Sequence, residues 1–209
     1  MKKQFLLVFL IFAVFITLNT VSATDENSSD LKSDIYNTNI PFVENQGQVD
    51  DEVEYYADTF YGNVYVTQDS ITHSIQADNN TSMVIKEQFM DREGNIINFN
   101  PAGHDISTAK VDYYLGNDPQ KWITSLAAWD TVTLGQLYPG IELILKANGS
   151  NIEKIFQIYP GGNPEDIRIM VTGADSLKLN DSGDLNLETS KGIIRLTKPV
   201  AFQEDQHSK

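Results

Sequence analysis

Carboxylates are the most numerous groups in this chain that could do chemistry: 29 Asp and Glu stand against 15 Lys and Arg, with 3 His and no Cys. Two carboxylates facing each other across a cleft suffice for glycoside hydrolysis. No spacing marks one pair here, so no catalytic residue is assigned and a glycoside hydrolase ranks third among the readings. His73, His104 and His207 stand apart, none with a second ligand at a spacing that a metal site favours. The acidic runs Asp50-Asp51-Glu52 and Asp181 to Asp184 offer oxygen ligands for calcium but lack the alternating pattern of a dedicated loop. Calcium is therefore only a weak expectation, and no other cofactor or metal is assigned. The phosphate loop, the Gly-x-Ser-x-Gly elbow and His-Glu-x-x-His are all missing from the sequence. Without cysteine there is no thiolate nucleophile, disulfide or Cys-ligated metal. The chain is expected not to be an enzyme.

Residues suited to binding are fewer. Trp122 and Trp129 flank a short apolar linker and could stack on a sugar ring or peptide, although core packing is the commoner use of a tryptophan in a β domain. Glu44, Asn45 and Gln46 open a polar run before the first strong strand pattern; they can tie down neighbouring backbone or hold a ligand. Asn27, Asn79, Asn80, Asn148 and Asn180 each begin an Asn-x-Ser/Thr sequon, open to glycosylation in a host with the machinery.

The elements that must position these residues are read from charge and periodicity. A basic start at Lys2 and Lys3, an apolar run over 5–18 and the small-residue ending Val21-Ser22-Ala23 form the pattern of a secretory signal peptide over 1–23. Cleavage is expected between Ala23 and Thr24, leaving no transmembrane anchor and a secreted or cell-surface protein. The formal net charge of −14 becomes −16 once Lys2 and Lys3 are lost, with 13 basic residues against the same 29 acidic. Nucleic acid is excluded as a partner, because phosphate binding depends on clustered Lys and Arg.

Residues 24–40 are polar and acidic and read as a flexible tether. From 53 onward, apolar residues recur at period two in short runs over 53–57, 64–67, 71–75, 83–89, 96–99, 111–115, 132–134, 141–145, 152–158, 167–171, 177–179, 185–187, 193–196 and 200–203. Turn formers at 91–94, 148–150, 161–164 and 181–184 read as hairpin loops between them. In the hairpin around Asn148, Ile152, Lys154, Phe156 and Ile158 fall on one face of the return strand. No helical stripe lasts three turns. The expectation is an all-β, antiparallel sandwich or barrel-like domain over 41–203, with a polar tail over 204–209.

The ordered motifs Phe42-Val43-Glu44-Asn45-Gln46-Gly47-Gln48, Tyr114-Leu115-Gly116-Asn117-Asp118-Pro119 with Trp122, Leu137-Tyr138-Pro139-Gly140-Ile141-Glu142-Leu143 and Pro160-Gly161-Gly162-Asn163-Pro164 carry a family resemblance. Gly173-Ala174, Gly183-x-Leu185 and Pro199 with Phe202-Gln203 extend it. Together they resemble the N-terminal domain of SBBP-repeat proteins, secreted or cell-surface proteins in which this domain precedes β-propeller-type repeats. The resemblance implies an extracellular all-β module with no catalytic residues to carry over, here truncated before the repeats. Missing closing strands would leave 193–196 and 200–203 at an open sheet edge, which invites self-association or a strand from a protein partner. The leading expectation is a non-enzymatic extracellular or cell-envelope module with an assembly or adhesion role. The alternative is a carbohydrate-binding module with a glycan as partner.

Overall fold

The computed structural model describes residues 8–15, 40–78, 81–114, 116–149 and 151–203. The expected cleavage point at Ala23 and Thr24, the tether up to 39, the sequons at Asn27, Asn79 and Asn80, and the tail over 204–209 lie outside them.

Alternating apolar and polar side chains produce strands here because every second residue can be buried while its neighbours stay wet. Strand β1 is Val8–Phe15, β2 Phe42–Glu44, β3 Tyr55–Thr59, β4 Gly62–Val66, β5 Ile71–Asp78 and β6 Thr81–Phe89. They are followed by β7 Ala102–Tyr113, β8 Ile123–Tyr138, β9 Ile141–Asn148, β10 Asn151–Ile158 and β11 Ile169–Thr172. The chain then folds into β12 Ser176–Leu179, β13 Leu185–Thr189, β14 Gly192–Leu196 and β15 Val200–Gln203. Among the described residues the helices are two 3-10 turns, Pro119–Lys121 and Pro164–Asp166. No helix there is long and apolar enough to cross a membrane.

One path runs β11-β6-β5-β4-β3-β2-β8-β9-β10-β1-β14-β13-β12, with β7 added to β8 and β15 to β1. All pairings are antiparallel, as in the expected all-β class. Strand β8 turns the sheet's corner: Trp129 and Ala128 pair with β2, residues from Thr131 onward pair with β9, and register shifts near Gly135 and Tyr138 bend it. The stretch from β11 to β10 curls until its two ends face each other. Phe89 of β6 and Phe156 of β10 then meet edge to face at 6.2 Å, inside a core that includes Phe42, Val66, Leu143 and Leu145. The β12-β13-β14 meander packs Leu187, Ile194 and Leu196 on Ile75, Met83 and Ile85 of β5 and β6.

Four expectations change. The run over 96–99 is not a strand: Ile96 makes one bridge to Met90, while the Phe99 N–H donates to the Gln68 carbonyl at 2.8 Å. Ile97 and Phe99 serve the core while Ile96 is exposed, and the Ile97 N–H donates to the Phe89 carbonyl at the end of β6, so the run makes no ladder of its own. The turn at 161–164 is not a hairpin loop, because β10 pairs with β9 and β1 while β11 pairs with β6. Strand β7 extends far ahead of the expected 111–115; most of its residues are exposed, so no periodicity announced it, and pairing with β8 creates it. Finally, the expected open edge is filled only in part: β1, from the apolar leader run, pairs with β10, the end of β14 and one side of β15, whose other side has no strand neighbour among the described residues.

Candidate functional site

Three charged or titratable side chains occupy positions that alternation reserves for the core. On β6, Met83, Ile85, Glu87 and Phe89 share the buried face; on β10, Ile152, Lys154, Phe156 and Ile158 do. Curling of the sheet brings these faces together, so Glu87 at 1% exposure meets Lys154 at 2%. The Lys154 ammonium donates to both Glu87 oxygens, at 2.7 and 2.5 Å. On β5, His73 shares a hydrogen bond between Nε2 and Glu87 Oε1 at 3.0 Å. Burial by itself would push the Glu87 carboxyl up; the Lys154 charge, with the His73 hydrogen bond, outweighs it and holds the group down at about 2. The arrangement is an ion pair across the interior that ties β6 and β5 to β10. The three contacts on the Glu87 carboxylate come from two strands other than its own, so this geometry fastens the sheet.

A cavity of about 220 Å³ opens beside the pair, lined by Ile169, Val171, Leu177, Leu185 and Leu196. Its wall is apolar, and Leu179 at its rim is 75% exposed. A larger groove of about 730 Å³ runs over the outer side of β8, β9 and β10 past His104, Asp105, Glu142, Glu153 and Phe202. Its carboxylates already have donors: Thr131 Oγ1 to Asp105 at 3.0 Å, Tyr159 Oη to Glu142 at 3.0 Å and Asn148 Nδ2 to Glu153 at 2.5 Å. Among the described residues no three His, Asp or Glu side chains gather as a metal would require. In the two acidic runs considered for calcium, Asp50 accepts from the Glu52 N–H within its own turn and Asp184 from the Lys198 N–H across 14 residues.

The residues singled out for binding are not brought together. Residues 123–138 are no linker but the long strand β8, which carries Trp129 inward against the core. A Cβ on Gly103 would stand 2.4 Å from the Trp129 ring, so the indole packs flat on bare backbone. Trp122 instead lies outside at 40% exposure, edge to face with Tyr114 at 5.2 Å, its Nε1 donating to the Gly116 carbonyl at 3.1 Å. The polar run of Glu44, Asn45 and Gln46 begins at the end of β2, not ahead of the first strand. There Asn45 pins a loop: its Oδ1 accepts from Gly47 and Gln48, and its Nδ2 donates to the carbonyls of Asp50 and Val53. Glu44 and Gln46 are exposed beside it. Of the two described sequons, Asn148 is exposed at the β9–β10 turn. Asn180 is spent on the β12–β13 turn, its Oδ1 accepting from the Ser182 and Asp184 N–H groups, so a glycan there would cost that turn its clasp.

Residue patterning missed Glu87 and His73 as partners of Lys154. The signal was present as opposite charges in the core register of two strands far apart in sequence, but only closure of the sheet pairs them. The motifs Tyr138-Pro139-Gly140 and Pro160-Gly161-Gly162 meet likewise: a Cβ on Gly140, at φ +70°, would lie 2.9 Å from the Gly162 nitrogen. Both act as turns packed backbone to backbone.

Fold and site define a class: an all-β domain whose curled sheet is fastened internally by a buried ion pair. A family model described as a domain of unknown function (DUF7948) matches residues 42–209, and the chain belongs to that family. No curated protein and no solved structure matches it.

Proposed function

We propose that this chain is a non-enzymatic extracellular or cell-envelope module whose role is assembly or adhesion. The observation that carries the reading is the origin of β1: the family domain spans 42–209, yet β10 and β15 are joined through Val8–Phe15, a segment outside it. A domain whose sheet is continued by a strand from outside its own bounds is suited to joining chains by strand addition. The leader pattern over 1–23 and the likeness to the N-terminal domain of SBBP-repeat proteins support the location.

Expression of the whole chain in a secreting bacterial host tests this. The expected product lies outside the cytoplasm, begins at Thr24 and elutes in light scattering as a multimer or with envelope proteins. Cytoplasmic retention with the leader intact would defeat the location, and a solitary monomer without surface attachment would defeat the role.

A second reading, carbohydrate binding, is favoured by the exposed Tyr114 and Trp122 pair. Glycan-array binding that Trp122→Ala removes, with the fold intact, would support it.

A further inference from the structure

We infer that the channel between β10 and β15 is a strand-accepting site, and that its partner is an extended segment of another polypeptide with apolar residues at alternate positions. The inference deepens the assembly reading and rests on it.

The backbone defines the site. Among the described residues, strand β15 has no strand neighbour but β1, through Val8↔Gln203, Phe9↔Phe202, Leu10↔Ala201 and Ile11↔Val200. Strand β10 pairs with β9 on one side and on the other, among the described residues, only with β1, from Val8↔Ile158 to Ala13↔Glu153. Once the leader is cleaved, the main-chain groups of two strands face an empty lane, which another strand can fill with a ladder on both sides. The same lane carries its own specificity. Ile158, Phe156 and Lys154 are buried, so partner residues opposite them lie over the core and must be apolar. Positions opposite Gln157, Ile155 and Glu153 lie on the outer side, where the groove holds Ile155, Glu153 and Phe202. That side suits uncharged or basic residues.

A second copy is the poorer occupant, because once cleaved it brings its formal charge of −16, 13 basic residues against 29 acidic, to an already acidic face. The segment that fills the lane in this structure, VFLIFAVF, carries no charge at all.

The absence of native cysteine allows a disulfide test. In the full chain, Ile11→Cys with Ile155→Cys should oxidise to a crosslink, whereas Ile11→Cys with Ile144→Cys, one strand further, should not. Equal yields would overturn the site. A second full chain carries Leu10→Pro and Phe12→Pro to release β1, together with Ile155→Cys. It is mixed with a peptide of the Val8–Phe15 sequence, lysine-flanked, with Cys in place of Ile11. The expected result is crosslinking at least tenfold faster than to a chain with native β1, and none with a peptide carrying the two prolines. Equal crosslinking to both chains overturns the inference, as does none to a released chain that melts cooperatively. Should the released chain not melt cooperatively alone, the peptide must restore that transition, and failure to do so also overturns it. Fractionation of the exported protein separates the two levels: association with itself or with envelope proteins, but no peptide crosslinking at β10, sinks the strand site and leaves the assembly reading standing, while association with neither sinks both.

Discussion

The curled sheet has two seams, and they are closed by different means. Where β6 meets β10 across the interior, side chains do the work: Phe89 packs on Phe156, and Glu87 is bonded to Lys154 and His73. Where β10 meets β15, the join is a ladder of main-chain pairs through β1, and β15 itself is exposed along its whole length. The contrast teaches that the first seam is specified by this chain alone, whereas the second asks only for an extended backbone with suitable alternation.

The largest expected effect breaks the first seam. Lys154→Ala leaves Glu87 buried and without its main counter-charge, at a cost of about 3–5 kcal/mol in urea unfolding. The double change Glu87→Leu with Lys154→Met removes both charges and should be neutral or stabilising by about 1–4 kcal/mol. A double variant as damaged as the single one would mean that the pair does more than fasten. Acid probes the same contact. Because Glu87 is held at about 2 in the fold against an ordinary 4.5, its contribution is complete above 4.5 and drains away as pH falls toward 2. Urea midpoints across that window should fall less in the charge-free double variant than in the native chain.

Of intermediate size is the packing of β7 on β8. Gly103→Ala places a methyl against the Trp129 ring and should cost about 1–3 kcal/mol, with a changed tryptophan emission spectrum. Asn45→Ala, which strips the loop after β2 of its clasp, belongs in the same range of about 1–3 kcal/mol. The smallest effect falls at the second seam. Ala201→Asp on exposed β15 should shift stability by no more than about 0.5 kcal/mol. A loss there as large as that from Lys154→Ala would erase the distinction between the seams.

Much of the fold was legible in the residues because period-two burial is a local property. The hairpin around Asn148 is the clearest instance: Lys154 could be placed on the core face of its strand before any partner was known, and the structure buries it there. Asn45 was likewise readable as a backbone clasp, since Asn bonds to nearby main chain wherever a turn leaves groups unpaired. Strand β7 was not legible, because His104, Asp105, Ser107 and Lys110 give no alternation when both sides are wet. The stretch between Trp122 and Trp129 reads in sequence as a linker because a strand that serves two neighbours along one edge loses the plain pattern of a single buried face.

By itself, the sequence determined the all-β class, most strand positions, the turns at 148–150 and 181–184, and the acidic, cysteine-free character. Each of these depends on residues within a few positions of one another. Only the tertiary structure decided that β6 and β10 face each other, that Glu87, Lys154 and His73 form one network, and that β1 fills the lane beside β10. Those outcomes depend on which distant strands the curling sheet brings together, and local alternation specifies a strand's faces without naming its neighbours.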